Sequence, residues 1–516
     1  LALPPPLALP RIPNGIRPDF RSEIAVSQVV IAGGKAHIPC MTIAFEHSYA
    51  RDLPGTYLRA RPDAAPAPRL LVLNQALATD LGLHLTEAEA TDWFSGAALP
   101  PDADPIAQAY AGHQFGGFSP QLGDGRAHLL GEVVAPDGRR VDIQLKGSGR
   151  TPFSRGGDGK AAIGPMLREY LISEFMAAAG VPTTRSLAVV ATGEEVWRET
   201  KLPGAVLARV AASHLRVGTF QFFAARGDRD QVKALADYAI ARHYPDLAEA
   251  ANPYLALLDA VIDRQAALVA EWMGLGFIHG VMNTDNMAIS GETIDYGPCA
   301  FMEGYAPGTV FSSIDHQGRY AYANQPLILA WNLARLAETL VPLLDANQDK
   351  AIEIANDRLT GIASRYREAW LAVMRRKLGL LGTDQGDAAL ADDLLTAMQG
   401  ADWTLTFRRL ADEAALRPLF ADFTPMEAWL PRWRARADAG VGAGVGAGVA
   451  DRLAQANPAV IPRNHQVEEA LSAATDGDMT PFHALLAAIQ APFAESEPYM
   501  LPAPTGFGHY VTFCGT

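Results

Sequence analysis

Residues 277–297 read F-I-H-G-V-M-N-T-D-N-M-A-I-S-G-E-T-I-D-Y-G. Two short β-prone runs, Met287 to Ile289 and Glu292 to Ile294, flank Ser290-Gly291, and a two-residue loop ending in Gly is a hairpin signal. The register that follows pairs Ile289 with Glu292, Met287 with Ile294, and Asn286 with Asp295. Cross-strand partners stand roughly 4.5–5.5 Å apart at Cβ. An amide oxygen and a carboxylate at that spacing suit one hard divalent cation, and Asp285 sits beside them. The plainer alternative is a hairpin with polar ends.

The flanking residues favour the metal reading. Protein kinases carry H-R-D-L-x-x-x-N followed by D-F-G, where the Asn and the second Asp hold the metals on ATP. His279, Asn286 and Asp295-Tyr296-Gly297 stand in the same order. The kinase catalytic Asp, five positions before the Asn, is Val281 here. The expectation is therefore a site that keeps its metal ligands but lacks the ordinary base.

Composition narrows the classes. A chain of 516 residues with 49% apolar and 19% charged residues has the make-up of a globular protein, long enough for several domains or one bilobal unit. A net charge of -14 argues against a surface for nucleic acid or anionic membrane. Three cysteines, Cys40, Cys299 and Cys514, make no disulfide framework. No uninterrupted apolar run reaches the eighteen or so residues of a membrane span. The sequence reads as cytoplasmic, with neither nucleic-acid nor membrane partners.

Residues 1–40 are Pro-rich and aperiodic, and are expected to be a disordered leader, either an upstream extension or a targeting arm. Pro68 to Gly82 predicts a helix closed by Gly82. Tyr110 to Pro120, Y-A-G-H-Q-F-G-G-F-S-P, predicts a tightly packed loop, serving turn chemistry or a ligand. Next, L-G-D-G-R-A-H-L-L-G-E-V-V, a turn at Asp137-Gly138, and V-D-I-Q-L-K-G predict a hairpin. Val141, Ile143 and Leu145 alternate with Asp142, Gln144 and Lys146, which puts Lys146 on the face opposite the apolar one. A Gly-rich turn feeding a strand that ends in Lys resembles the kinase phosphate-covering loop and its lysine, though His128 stands where a third Gly would be.

Residues 147–164 form a second Gly-rich, basic segment, either an anion-binding nest or a flexible surface loop. Pro165 opens a helix with Leu167, Leu171, Phe175 and Ala178 on one stripe and Gly180 at its end. Glu169 is the expected partner of Lys146, with Glu174 as the alternative. Two strand-like runs follow Pro182. Arg209 and Arg216 lie in apolar surroundings that call for an anion, either a phosphate or a buried carboxylate. Amphipathic helices are predicted over 232–244, 255–273 and 326–345, then throughout the remainder. A-G-V-G-A-G-V-G-A-G-V-A at 439–450 reads as a low-complexity linker.

G-G-F-S-P-Q-L-G-D-G-R-A-H, L-K-G-S-G-R-T-P-F-S-R-G-G-D-G, H-G-V-M-N-T-D-N and D-Y-G-P, in this order, resemble the selenoprotein O family, called YdiU in bacteria, from about Met41 onward. The resemblance implies a bilobal, kinase-like α+β fold: an N-lobe region over 41–216, a helical C-lobe with the metal site over 217–345, and a helical extension over 346–516. It implies ATP bound in reversed orientation and AMP transferred to Ser, Thr or Tyr hydroxyls of proteins, or UMP from UTP, with Mg²⁺ or Mn²⁺. Reversal answers the loss of the base at Val281, because the α-phosphorus then faces the metal and the incoming hydroxyl. By resemblance, Lys146 binds phosphate and Glu169 orients it, while Gly123, Gly125 and Arg126 contact the nucleotide. Asp158, Gly159, Arg209 and Arg216 complete that pocket, Asn286 and Asp295 hold the metal, and Asp285 accepts the proton.

Two rivals follow from the same residues: a conventional kinase with Asp285 as a displaced base, and a nucleotide-binding pseudokinase scaffold, for which Val281 speaks. Eukaryotic members carry selenocysteine where Cys514 stands, and Val511 excludes a local tail disulfide. Cys299, two residues past the D-Y-G glycine, is then the remaining partner for a bond across the metal site. The other expectation is two unpaired thiols.

Overall fold

Lys146 ends the second strand of a hairpin at the centre of a seven-stranded antiparallel sheet, in a computed structural model that describes residues 43–439, 448–508 and 510–513. The strands are β1 (Tyr57–Arg59), β2 (Arg69–Leu73), β3 (Ile106–Gln108), β4 (Gly112–Gln114), β5 (Gly117–Ser119), β6 (Ala127–Val134), β7 (Arg140–Lys146), β8 (Arg185–Trp197) and β9 (Lys201–Ala211). The sheet runs β1-β3-β6-β7-β9-β8-β2, and β4 and β5 form a separate hairpin. Asp137 and Gly138 sit in the β6–β7 turn as the D-G signal requires. Register fixes the chemistry of one face: Gln144 lies opposite Arg209 in β9, so Gln144, Lys146 and Arg209 project to the same side. Val141, Ile143 and Leu145 project to the other, into a core with Leu77, Phe94 and Val190.

The helix Ile163–Ala178 covers the polar face of the sheet. Twelve of its residues are buried, including Arg168, Glu169 and Glu174, so it is enclosed all round and not along one stripe. Its outer side is covered by the helices Asn464–Thr475 and Thr480–Ile489, which pack against it from the far end of the chain. The helices Arg229–His243, Pro253–Leu275 and Gln325–Leu344 form a body whose apolar core is continuous with the one beneath this helix.

Two expectations need correction. Pro68 to Gly82 is not one helix: its first half is β2, which pairs with β8 at the sheet edge, and only Gln75–Asp80 is helical. Asn74 divides them, its side chain accepting from Leu77 N at 3.0 Å as an N-cap. The expected linker at 439–450 is shorter, because the helix Val449–Ala456 begins inside it; its residues 440–447, like the leader at 1–40, lie outside the described residues. The helical segment Tyr322–Leu344 is long and apolar enough to cross a bilayer. Here half of its most apolar stretch is buried inside the fold, where Leu329, Leu333, Leu336 and Leu340 enter the core.

Two buried cations tie the late helices to the body. Arg463, fully buried, donates to Asp402 Oδ2 at 2.7 Å, to Glu303 Oε2 at 2.6 Å and to the Met500 carbonyl at 3.1 Å. Removing one member of such a cluster leaves uncompensated buried charge. Arg463→Met is expected to cost about 3–5 kcal/mol, read as a lower denaturant midpoint. Lys377 Nζ donates to Asn457 Oδ1 at 2.9 Å and lies 4.0 Å from the Phe407 ring centroid. Burial pushes its ammonium down to about 7. The unfolded chain then binds more protons between pH 7 and the ordinary lysine value, so this group costs most near pH 7 and progressively less as pH rises. The stability of the parent relative to Lys377→Met is expected to rise between pH 7 and 10 by up to several kcal/mol, measured as paired unfolding curves.

Candidate active site

Four charged groups from four elements converge behind the sheet. Lys146 Nζ donates to Glu169 Oε2 at 2.5 Å and is ion-paired with Asp295 Oδ1. Arg209 reaches Glu169 Oε1 at 3.2 Å and Gln144 Oε1 at 2.6 Å. Glu169 is thus the lysine's partner from the helix. Glu174 is spent elsewhere, on Arg185 and on the Asn74 side chain. Burial alone would raise the Asp295 carboxyl, but Lys146, Arg209 and Arg126 hold it well below the ordinary carboxylate range. Asp295 also has a backbone φ of +70°, a region costly for a residue with a Cβ and found mostly where surrounding structure enforces it.

The segment from 279 to 296 is held by hydrogen bonds to distant parts of the chain. His279 is buried, with Nε2 donating to the Ile294 carbonyl at 3.1 Å and Nδ1 accepting from Val281 N at 3.3 Å. That pair of partners fixes one neutral tautomer. Ser290-Gly291 does turn the chain, with Gly291 N donating to the Ala288 carbonyl, but the two arms do not pair with each other. Ala288 bridges Arg216, while Thr293 bridges Thr183. Each arm satisfies its buried peptide groups on a segment that is already anchored: the Met287 carbonyl accepts from Val217 N, and Ile289 N and Thr293 N donate to the Leu215 and Pro182 carbonyls. The expected cross-strand pairing of Asn286 with Asp295 is therefore absent, although both still border one cavity.

That cavity, about 300 Å³, is lined by Gly123, Gly125, Arg126, Lys146, Asp158, Gly159, Arg209, Arg216, Asp285, Asn286 and Asp295, so every residue expected to touch nucleotide, metal or the acceptor proton borders it, while the orienting Glu169 stands behind Lys146. Gly123 has φ +69°, and a Cβ there would fall 2.3 Å from the Phe153 ring, so the two Gly-rich loops close on each other only with glycine at that position. Among the described residues Arg216 makes no ion pair with a carboxylate. It donates to the Asp285 carbonyl at 3.0 Å and the His214 carbonyl at 3.1 Å, stacks on Tyr110, and leaves Nη2 without a partner. Arg126 likewise keeps a buried Nη1 unpartnered. For Arg209 the carboxylate account holds, since Glu169 is its partner.

Sequence reading missed two groups. Arg198 clamps Asp158, donating to Oδ2 at 2.8 Å, and so shapes the second Gly-rich loop. It follows a strand with no motif of its own. Gln114, in the segment expected to be a loop, belongs to the β4–β5 hairpin and donates to Asp285 Oδ2 at 3.4 Å. Gly112 in the same strand approaches so closely that a Cβ would fall 2.3 Å from Asp285 Oδ1. Burial raises the Asp285 carboxyl to about 6, opposed by Arg216 and Gln114, and its Oδ1 has no hydrogen-bond partner.

A second cavity, about 550 Å³, shares Arg126, Lys146, Glu169's neighbourhood and Asp295 with the rest of the site but is walled by Ile163, Met166, Leu202, Pro203, Leu471 and Phe507. Residues 510–513 close its outer side. Tyr510 Oη accepts from Arg168 at 3.0 Å and donates to Glu468 at 2.5 Å, and Thr512 Oγ1 donates to the Pro298 carbonyl at 2.7 Å. Cys299 is buried, has no disulfide partner among the described residues, and its thiol is pushed up to about 12 by burial. Its expected partner Cys514 lies outside the described residues.

The Asp295 carboxylate, the Asn286 amide oxygen and the orphaned Asp285 Oδ1 are hard oxygen donors of the kind Mg²⁺ or Mn²⁺ takes. Among the described residues no three His, Cys, Asp or Glu side chains cluster as a self-sufficient metal cage. The donor set fits a cation that completes its shell with phosphate oxygens and water.

Comparison with known proteins gives the family of the chain. Residues 39–490 match the family model described as protein adenylyltransferase SelO. A protein nucleotidyltransferase YdiU of Cereibacter sphaeroides is 64% identical over 489 residues, covering 92% of this chain and 100% of that protein. Proteins of the same name from Rhizobium leguminosarum bv. trifolii and Mycolicibacterium paratuberculosis are 57% and 55% identical, covering 92% and 93% of this chain and 97% and 99% of theirs. The family model spans most of the sequence and every residue of the smaller cavity, and the chain belongs to the protein adenylyltransferase SelO family.

Proposed function

We propose that this adenylyltransferase moves AMP from ATP onto Ser, Thr or Tyr hydroxyls of proteins, on a bilobal kinase-like framework in which the nucleotide lies reversed, within a cytoplasmic setting. One observation carries the reading: two cavities of opposite character meet at Arg126, Lys146 and Asp295. The smaller is lined by Arg126, Lys146, Lys160, Arg198, Arg209 and Arg216 and suits the β- and γ-phosphates. The larger, mostly apolar one suits the base and ribose. A nucleotide laid across both presents its α-phosphorus at the junction, next to Asp295.

In this reading the acceptor oxygen attacks the α-phosphorus, the bond from it to the bridging oxygen of the β-phosphate breaks, and pyrophosphate leaves with the electron pair. Asp285, ionised, takes the hydroxyl proton. Gln114 orients its carboxylate and Arg216 holds its backbone. Lys146, kept in line by Glu169, and Arg126 neutralise charge on the phosphates, and Arg209 steadies Glu169. Asn286 and Asp295 would hold Mg²⁺ or Mn²⁺, whose chemistry there is to offset charge on the phosphate oxygens. Positioning and charge neutralisation carry most of such catalysis, which accounts for a site that works without an Asp at Val281.

Label from α-phosphate-tagged ATP is expected on acceptor protein, and label from γ-tagged ATP is not; the reverse result makes the chain a conventional kinase. Asp295→Ala is expected to reduce transfer at least about a hundredfold and, by leaving Lys146 with one carboxylate fewer, to lower the thermal midpoint by several degrees while the chain still binds nucleotide and unfolds in one cooperative transition. Absence of transfer by the parent chain with either metal, and with ATP or UTP, would instead favour a nucleotide-binding scaffold. Glu169→Gln is expected to lower kcat about tenfold or more and to weaken nucleotide binding less, because it leaves Lys146 charged but loosely held.

A further inference from the structure

The β4–β5 hairpin is fastened residue by residue to the loop that carries Asp285. His113 N donates to Thr284 Oγ1 at 2.8 Å, Gln114 Nε2 to Asp285 Oδ2 at 3.4 Å, and Phe115 N to Asn283 Oδ1 at 3.2 Å and to Tyr320 Oη at 3.1 Å. These bonds hold Phe115 at φ +52°, a conformation a phenylalanine does not adopt unaided. Its ring edge rests on Tyr320 at 5.1 Å between centroids and stays exposed. On the neighbouring strand Phe118, 42% exposed, packs on His113, which packs on Trp331. Leu327, one helical turn before Trp331, is 69% exposed. Four apolar or aromatic side chains thus make one surface, immediately outside Asp285.

A cation sits within that surface. The Arg319 guanidinium lies 4.8 Å from the Trp331 ring centroid and 5.8 Å from that of Tyr320, beneath the hairpin tip at Gly116. Among the described residues no carboxylate comes within ion-pair distance of it, and its Nε is buried without a hydrogen-bond partner. In a chain of net charge -14, an unmatched guanidinium held on aromatic faces is built to receive an anion. Aromatic residues and Arg are also the side chains that anchor protein interfaces.

We infer that the β4–β5 hairpin, with Arg319 and the Leu327–Trp331 face, is the docking surface for the acceptor protein. It takes an extended segment in which an aliphatic or aromatic residue and a carboxylate lie close to the modified hydroxyl. The spacing follows from the geometry. Gln114 touches the proposed proton acceptor and Phe115 is the next residue, so with about 3.3 Å per extended residue the flanking groups fall within about three positions of the hydroxyl. The apolar residue meets Phe115 and Phe118, and the carboxylate meets Arg319. This inference rests on the transferase reading above.

Peptide libraries with a central Ser, Thr or Tyr and randomised flanks, supplied with α-labelled ATP and the full chain, test it. The parent is expected to favour flanks bearing an aliphatic or aromatic residue plus Asp or Glu over Lys-bearing flanks by about tenfold. Arg319→Glu is expected to invert the charge preference. Phe118→Ser is expected to raise KM for apolar-flanked peptides about tenfold with kcat little changed. Affinity for a non-transferable ATP analogue, measured by calorimetry, should stay within about twofold in both variants, which also reports that they fold. Robust transfer with no flank preference, or a preference unmoved in Arg319→Glu, overturns the docking surface and leaves the transferase reading standing. No label on any peptide or protein from the parent, despite analogue binding, overturns both.

Discussion

The ammonium of Lys146 sits between two carboxylates that arrive from opposite directions, Glu169 from the covering helix and Asp295 from the segment after the His279 loop. Sheet, helix and helical body meet at this contact. Burying three charges is expensive, and their mutual attraction offsets that cost only when every partner is in position. Arg209 supplies a fourth charge through Glu169, so the cluster is balanced, two cations against two anions. A site balanced in this way accepts the extra negative charge of a polyphosphate only with added cations. Arg126 and Arg216, each with an unpartnered nitrogen, and a divalent metal supply them.

A second buried network joins the sheet to the body at the other end of the same strand. Asp142 in β7 accepts from His214 Nδ1 at 3.0 Å and from Arg242 at 2.9 Å, and Arg242 also pairs with Glu132 in β6 at 3.2 Å. Alternate residues of one strand, Asp142 and Lys146 with Gln144 between them, thus serve separate ion clusters on the same polar face. This explains why a strand that reads as half-solvated is buried along nearly its whole length. The polar positions point inward to charged partners and not to water.

How much of this could be read from the sequence depends on whether the partner is local. The β6–β7 hairpin follows from Asp137-Gly138 and strict alternation, both written within twenty residues. Glu169 and Glu174 are five positions apart, about 140° around a helix, so only one can face Lys146; the sequence supplies both candidates and the phase of the helix chooses. The arms around Ser290-Gly291 fail as a ladder because their partners, Leu215 and Pro182, are more than seventy residues away and carry no local signal. The β4–β5 hairpin was hidden by its glycines. Gly112, Gly116 and Gly117 lower strand propensity, yet Gly112 is what lets the strand reach Asp285.

The contact of Arg168 with Tyr510 spans 342 positions of sequence. Loop-closure entropy makes so distant a contact slow to form and late to be rewarded. During synthesis the sheet and the lysine-facing helix are complete while the far wall of the apolar cavity does not yet exist. A nascent chain therefore exposes the flank of Ile163–Ala178, with its buried Leu, Ile and Phe side chains, for the time needed to translate more than three hundred further residues. Order of emergence from the ribosome, as much as any equilibrium property, thereby separates acquiring the charged half of the site from acquiring its apolar half.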